Sequence, residues 1–394
     1  MAWFTLTGTA LVAILATSCS RESTPTSLSA ASVDAGKQIF RFETFGDETF
    51  WTDTLRMHEV VQTVPPTTAL AVGLKVDADT LPPAVLQALQ AGQVDLSSPA
   101  TTVTLLKLGA VVGIRATVDA QNHITRLGIT CALCHSTVDD RIAKGVGSRR
   151  DGYPNLDLNP GAIIALSPAL TAAQKAVYNS WGPGRFDPRI NMDGLNGPVV
   201  IPPAYGLRGV HSITFTGDGQ DIAYWNRYVG VTQMHGHGSF VEARTHVNIQ
   251  NGPDMISALL PALQEYQLSL AAPKPSAGSY DVAAAARGAV VFSGAGQCAS
   301  CHAGTLFTDA NSRLHSPAEV VSEPEPNGAP SAAARSATRM YRTTPLRALQ
   351  LHAPYFHNGI APTLEAVVEL YNSRRNLGLT ASQKSDLVQY LRSL

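Results

Sequence analysis

Two short stretches constrain this chain more than anything else in it: Cys131-Ala-Leu-Cys134-His135 and Cys298-Ala-Ser-Cys301-His302. Each is a complete C-x-x-C-H, the pattern of covalent c-type haem attachment. The spacing has a physical reason. Two sulfurs about one helical turn apart reach the two vinyl groups of one porphyrin, and the imidazole that follows is held beneath it as an iron ligand. A structural zinc site wants a four-ligand Cys/His set, and a redox C-x-x-C has no need of the trailing histidine. Of the five cysteines only Cys19 is left over. The motifs therefore read as two covalently bound haem c groups, with His135 and His302 as proximal metal ligands and no structural disulfide.

A length of 394 residues allows two or three domains. Charged residues are 15% of the chain, below the usual quarter, while Ala, Gly and Pro are plentiful. That balance suits a compact, loop-rich protein around a large buried group, not a disordered or coiled-coil one. A formal charge of −1 and the lack of any Lys/Arg run argue against a nucleic-acid or anionic-lipid partner.

Cys19 closes an apolar stretch, Ala10 to Ala16, followed by Thr17-Ser18. This looks like an export signal (residues 1–19) with a lipobox, and haem attachment to C-x-x-C-H takes place outside the bacterial cytoplasm. The expected location is periplasmic, with membrane contact only through a lipid on Cys19. The residues before Cys19 are Ala-Thr-Ser, not the usual Leu-led set, and no Lys or Arg precedes the apolar run. A soluble export signal cut nearby, or an uncleaved anchor, stays open. The Ser/Thr/Ala-rich residues 20–34 read as a flexible tether.

Ala35-Gly36-Lys37-Gln38-Ile39-Phe40 carries the Gly-x-x-x-Phe pattern that opens many cytochrome c domains, and Gly288 to Phe292 repeats it shortly before Cys298. Cys131 comes much later, which implies an insertion at about 45–125 capping the first haem; Pro82 to Ala91 and Thr101 to Leu108 are helical patterns within it. After His135 the chain is turn-rich, and Trp181-Gly-Pro-Gly-Arg185-Phe186-Asp187 and Ile201 to Gly219 read as loops. Helices are expected over Asp221 to Val231 and Met255 to Leu270. The Pro/Ala/Ser-rich residues 271–279 form a linker between an N-terminal haem domain, 35–270, and a C-terminal one, 280–394. Ser316 to Arg339 reads as a mobile surface loop. Helices are again expected over Thr363 to Asn372 and, capped by Thr380, to Leu394. The fold class is mostly α, overwhelmingly helical, with two cytochrome c-like haem domains, the first enlarged.

Three segments then form a distinctive series: Tyr341-Arg-Thr-Thr-Pro345-Leu346-Arg347, Ala353-Pro354-Tyr355-Phe356-His357-Asn358-Gly359, and Thr363 to Val368. Together they resemble the C-terminal domain of the bacterial di-haem cytochrome c peroxidase and MauG superfamily, over roughly Gly288 to Leu394. The resemblance implies a second axial ligand at Tyr371, where the peroxidases carry methionine and MauG tyrosine. It implies that His357 lies near the haem without binding iron, although an imidazole is a better iron ligand than the Tyr371 phenol and so competes with it, and that Arg347 pairs with a propionate. It also admits calcium between the domains, near the carbonyls of His352 and Pro354.

The N-terminal resemblance is looser. Phe215-Thr-Gly-Asp218-Gly219 stands where the family has Phe-Trp-Asp-Gly-Arg, so the inter-haem tryptophan is missing and Trp225 or Trp181 would have to replace it. Gln233-Met234-His235-Gly236 stands where the family has Glu-Met-Gly, and an amide cannot act as general base. His235 and His237 are then the candidates for a distal ligand or acid/base, with Met234 a further ligand candidate. A fainter resemblance, to the di-haem rubber oxygenases, rests on the enlarged N-terminal region and the Trp-Gly-Pro-Gly-like loop. The expected function is a haem-dependent oxidoreductase that reacts with peroxide or dioxygen at the first haem. It would exchange electrons through the second with a small redox protein or small-molecule donor or acceptor. The alternative is a non-catalytic electron-transfer cytochrome.

Overall fold

Two pairs of crossing helices organise the molecule, one at each end of the chain. The computed structural model describes residues 29–394, so the export signal with Cys19 and residues 20–28 of the tether lie outside the described residues. The first helix, Ala30–Phe42, begins inside the stretch read as tether because the Ser29 hydroxyl accepts from the Ser32 amide at 3.1 Å and caps it.

Gly36 of that helix lies against Leu260–Ser269: a Cβ there would stand 2.0 Å from the Ala262 carbonyl oxygen. One turn on, Phe40 meets the Tyr266 ring edge-on at 5.5 Å. The same device recurs where Val282–Ser293 crosses Ala381–Arg392. A Cβ on Gly288 would stand 2.1 Å from the Asp386 carbonyl oxygen, and Phe292 meets Tyr390 edge-on at 5.2 Å. A missing side chain lets the axes approach, and an aromatic pair fills the gap where they splay. Thr380 closes a capping box with Gln383, as its sequence position suggests, and Thr363 caps Leu364–Arg374 through the Ala366 amide.

Each crossing anchors its own apolar cluster. Phe40, Phe45, Val231, Met234, Ile256 and Leu263 make the first, bringing in Ile222–Thr232; Phe292, Leu364, Val368, Leu387 and Leu391 make the second. The inserted region builds a third, in which Trp51, Met57, Val103 and Leu106 pack with Ile124 and Leu127 of a hairpin of Ile114–Val118 and Ile124–Ile129. That hairpin runs through Thr130 directly into Cys131.

Only 38% of the described residues are helical, and the described strands form five two-stranded sheets. The expectation of an overwhelmingly helical chain is corrected here. The turn-rich Gly/Pro stretches satisfy their backbone groups through short ladders and side chains instead. Ser316 to Arg339 is also no mobile surface loop, for Val321, Ser322, Ala333 and Ser336 are buried. Arg335 fastens it: its guanidinium reaches Asp187 at 3.0 Å and Asp193 at 2.7 Å, and Asp187 is wholly buried. Long-range charge pairing of this kind leaves no periodic trace in a sequence. Among the described residues, no helix is long and apolar enough to cross a membrane.

Candidate functional site

Each C-x-x-C-H stretch forms the wall of its own cavity. In the first, the hairpin delivers Cys131 into the short helix Ala132–His135, and the His135 amide bonds back to the Cys131 carbonyl at 3.2 Å. The cavity holds about 280 Å³ and is lined by Cys131, Cys134 and His135 together with Met57, Val61, Leu70, Leu105 and Leu106 of the inserted region. The second cavity, about 470 Å³, is lined by Cys298, Cys301, His302, His352, His357, Tyr371 and Arg347. None of the four thiols is paired in a disulfide. Burial pushes Cys131 and Cys134 up to about 12 and Cys298 up to about 11, so unreacted they are neutral thiols.

The two histidines are held alike. His135 Nδ1 bonds the Pro202 carbonyl at 3.1 Å, and His302 Nδ1 bonds the Phe307 carbonyl at 3.0 Å. A ring nitrogen facing a carbonyl carries the proton, so Nε2 keeps its lone pair in both rings. Burial drives His135 down to about 4, with the Pro202 bond opposing, and lowers His302, so both imidazoles are neutral at neutral pH. Two guanidiniums complete the sets. Arg347 Nη2 and Arg342 Nε are buried without a hydrogen-bond partner, and neither arginine pairs with a carboxylate among the described residues. Paired thiols, one free imidazole nitrogen, apolar walls and an unpaired cation suit a flat apolar iron complex with an anionic edge.

The remaining expected residues divide. Gln233, Trp225, Met234 and Trp181 line the first cavity. Gln233 Nε2 donates to the Pro188 carbonyl at 3.2 Å, and Trp225 stacks on Tyr228 at 4.8 Å. His235 and His237 do not reach that lining, which corrects the expectation of a distal histidine. After Ile222–Thr232 ends, His235 takes a positive φ of 63° and turns its ring onto Phe50, 3.6 Å between centroids. His237 is drawn away by its amide, bonded to the Phe45 carbonyl at 2.7 Å. His135 is the one histidine lining the first cavity.

In the second cavity Tyr371 lies beside Cys298 and Cys301; burial, and then these two thiols, push its phenol up to about 12. His357 is buried with Nε2 2.5 Å from Glu325, so its nitrogen is already engaged. Among the described residues, side chains close enough to share a cation occur at Cys301, Asp309 and His315 and at Glu323, Glu325 and His357. Sequence reading overlooked Arg342, although it stands inside the Tyr341-Arg-Thr-Thr-Pro segment. It also overlooked the side chains of Tyr205 and His352, for which no local pattern exists.

One curated relative, the cytochrome-c peroxidase IdrP2 of Denitromonas iodatirespirans, is 31% identical over 137 residues. Over that stretch the chain is similar to a cytochrome-c peroxidase. The match covers 26% of this chain and 37% of the length of that peroxidase. No protein-family model matches the chain. Two solved structures are similar in part. Hydrazine synthase of Kuenenia stuttgartiensis, pressurised with xenon, covers 50% of this chain and 73% of its own at 20% identity and a TM-score of 0.35. A MauG-like protein associated with microbial copper homeostasis covers 34% of this chain and 56% of its own at 22% identity and a TM-score of 0.26.

Proposed function

We propose that this chain is an exported di-haem c-type cytochrome of the peroxidase and MauG type, a haem-dependent oxidoreductase. In this reading residues 35–270 and 280–394 are two cytochrome c-like haem domains joined by 271–279, and the insertion at about 45–125 walls the first. Peroxide or dioxygen is the reactant of the first site, and a small redox protein or small molecule exchanges electrons with the second. The chain works in the periplasm, tethered through Cys19, and calcium is admitted between the domains.

One observation carries the reading: the first cavity is lined by a single imidazole, His135, whereas the second sets Tyr371 in the same wall as His302. On this reading the first iron would be held by His135 alone, with Met234 given over to packing in the core cluster of Phe40 and Phe45, and the second by His302 with Tyr371. The bound haems supply one-electron redox chemistry and, at the open iron, peroxide activation. The protein supplies the rest. Cys131, Cys134, Cys298 and Cys301 hold the groups by thioethers, and His135 and His302 present Nε2. Arg342 and Arg347 neutralise anionic edges, and the apolar lining from the inserted region excludes water. Gln233, an amide in place of a carboxylate, positions without taking a proton. That same amide favours the alternative, a non-catalytic electron-transfer cytochrome.

EPR and optical spectra of the ferric protein before and after hydrogen peroxide decide between the two. A high-spin signal from one haem that peroxide abolishes is expected; Tyr371→Phe should alter only the other haem, and His235→Ala neither. Two low-spin haems indifferent to peroxide, oxidised and half-reduced, would make the protein an electron carrier.

A further inference from the structure

The two cavities share a wall. Pro202, Pro203, Leu207, Phe215 and Arg342 line both, and the Pro202 carbonyl is the group that holds His135. Within this partition lies Tyr205, 3% exposed, on the side facing the second cavity. Its hydroxyl stands 2.9 Å from His352 Nε2, and His352 lines the same cavity.

That pairing separates Tyr205 from other phenols around the two cavities. Tyr355 and Tyr228 bond the backbone carbonyls of Leu349 and Pro188, which cannot take a proton. Tyr371 has no side-chain or backbone acceptor among the described residues. Tyr341 bonds Glu323 and stands 3.4 Å from His357 Nε2, but Glu325 already holds that nitrogen at 2.5 Å. Tyr224, in the first cavity, bonds Glu242 at 3.3 Å. A phenol that loses an electron becomes a strong acid, and a buried cation radical is costly unless its proton leaves with the electron. An imidazole nitrogen within hydrogen-bond distance accepts that proton without separating charge across the cavity.

We infer that Tyr205 and His352 form a proton-coupled redox pair in the partition, through which electrons pass between the haems of the two cavities. This rests on the di-haem reading above. The balance closes on each step. One electron leaves the Tyr205 ring for an oxidised haem, which is reduced by one. The phenolic proton moves to His352 Nε2, giving a neutral tyrosyl radical beside an imidazolium. An electron from the reduced haem across the partition returns to Tyr205, and the proton returns with it.

The test is freeze-quench EPR on the holoprotein, with both haems verified by optical spectrum in every variant. One arm oxidises with a flash-quenched ruthenium photosensitiser, the other with hydrogen peroxide. A tyrosyl signal is expected in the wild type, retained in Tyr341→Phe and Tyr355→Phe, lost in Tyr205→Phe, and largely lost in His352→Gln, which keeps a polar group but no base. A signal unchanged in Tyr205→Phe, or no tyrosyl signal in either arm, overturns the pair. A Tyr205 signal in the photochemical arm alone leaves the pair standing and removes the peroxide reading. Peroxide consumed with no Tyr205 signal in either arm does the reverse.

Discussion

The helix crossings at the two ends of the chain share one chemistry, yet the cavities they frame differ. At one end Gly36, Phe40 and Tyr266 make the crossing and Arg41 pins it to Asp151 at 2.5 Å; at the other Gly288, Phe292 and Tyr390 do so, with Arg287 on Asp386 at 2.7 Å. The first motif is reached through a large inserted unit that contributes Met57, Val61 and Leu105 to its cavity, whereas Cys298 follows its crossing helix almost at once. The first cavity is therefore apolar with one imidazole, and the second gathers His302, His315, His352, His357 and four tyrosines. A scaffold can be kept while reactivity is set by what is placed around the motif.

The largest effect should come from removing one attachment pair. Cys298→Ala with Cys301→Ala should abolish covalent haem at the second site alone, and Cys131→Ala with Cys134→Ala at the first alone, each read as one haem's mass missing from the intact protein. Loss of both haems from either double variant would break the comparison. Next is the clasp that joins the halves. Arg335→Ala leaves Asp187 buried and unpaired, a cost of about 3–5 kcal/mol, seen as a lower Tm and new proteolysis within 316–339.

Gly36→Ala and Gly288→Ala each force a Cβ into a carbonyl and should destabilise by about 1–3 kcal/mol, to a similar degree if the crossings are equivalent. Denaturant midpoints compare them directly. The smallest effect is on acid stability. The hydrogen bond from Arg287 holds the Asp386 carboxyl below the usual range. A depressed folded value contributes stability above the unfolded value of about 4, lost as pH falls through the folded one. Asp386→Asn should therefore flatten the acid side of a Tm–pH profile and leave its neutral region least changed in slope.

Much of this was legible before any coordinates. The C-x-x-C-H stretches, the Gly-x-x-x-Phe helices and the cap at Thr380 depend on neighbours within a few positions, so their meaning is written locally. His235 was misplaced because one positive φ after a helix end redirects a side chain, and no composition or spacing marks that turn. The 316–339 segment was misread because its Pro and Ala content describes a loop, while its burial is decided by Arg335 meeting two aspartates far away in the chain.

Sequence by itself determined the two C-x-x-C-H motifs and their helical framing. Only the tertiary structure decided which histidine faces which cavity, that the cavities share a wall, and that Tyr205 meets His352 at 2.9 Å on the second-cavity side of that wall. The physical reason is range. Covalent spacing and helix capping act between neighbours in the chain, whereas burial, charge pairing and the placement of a base beside a phenol are set by residues that meet only when the chain has packed.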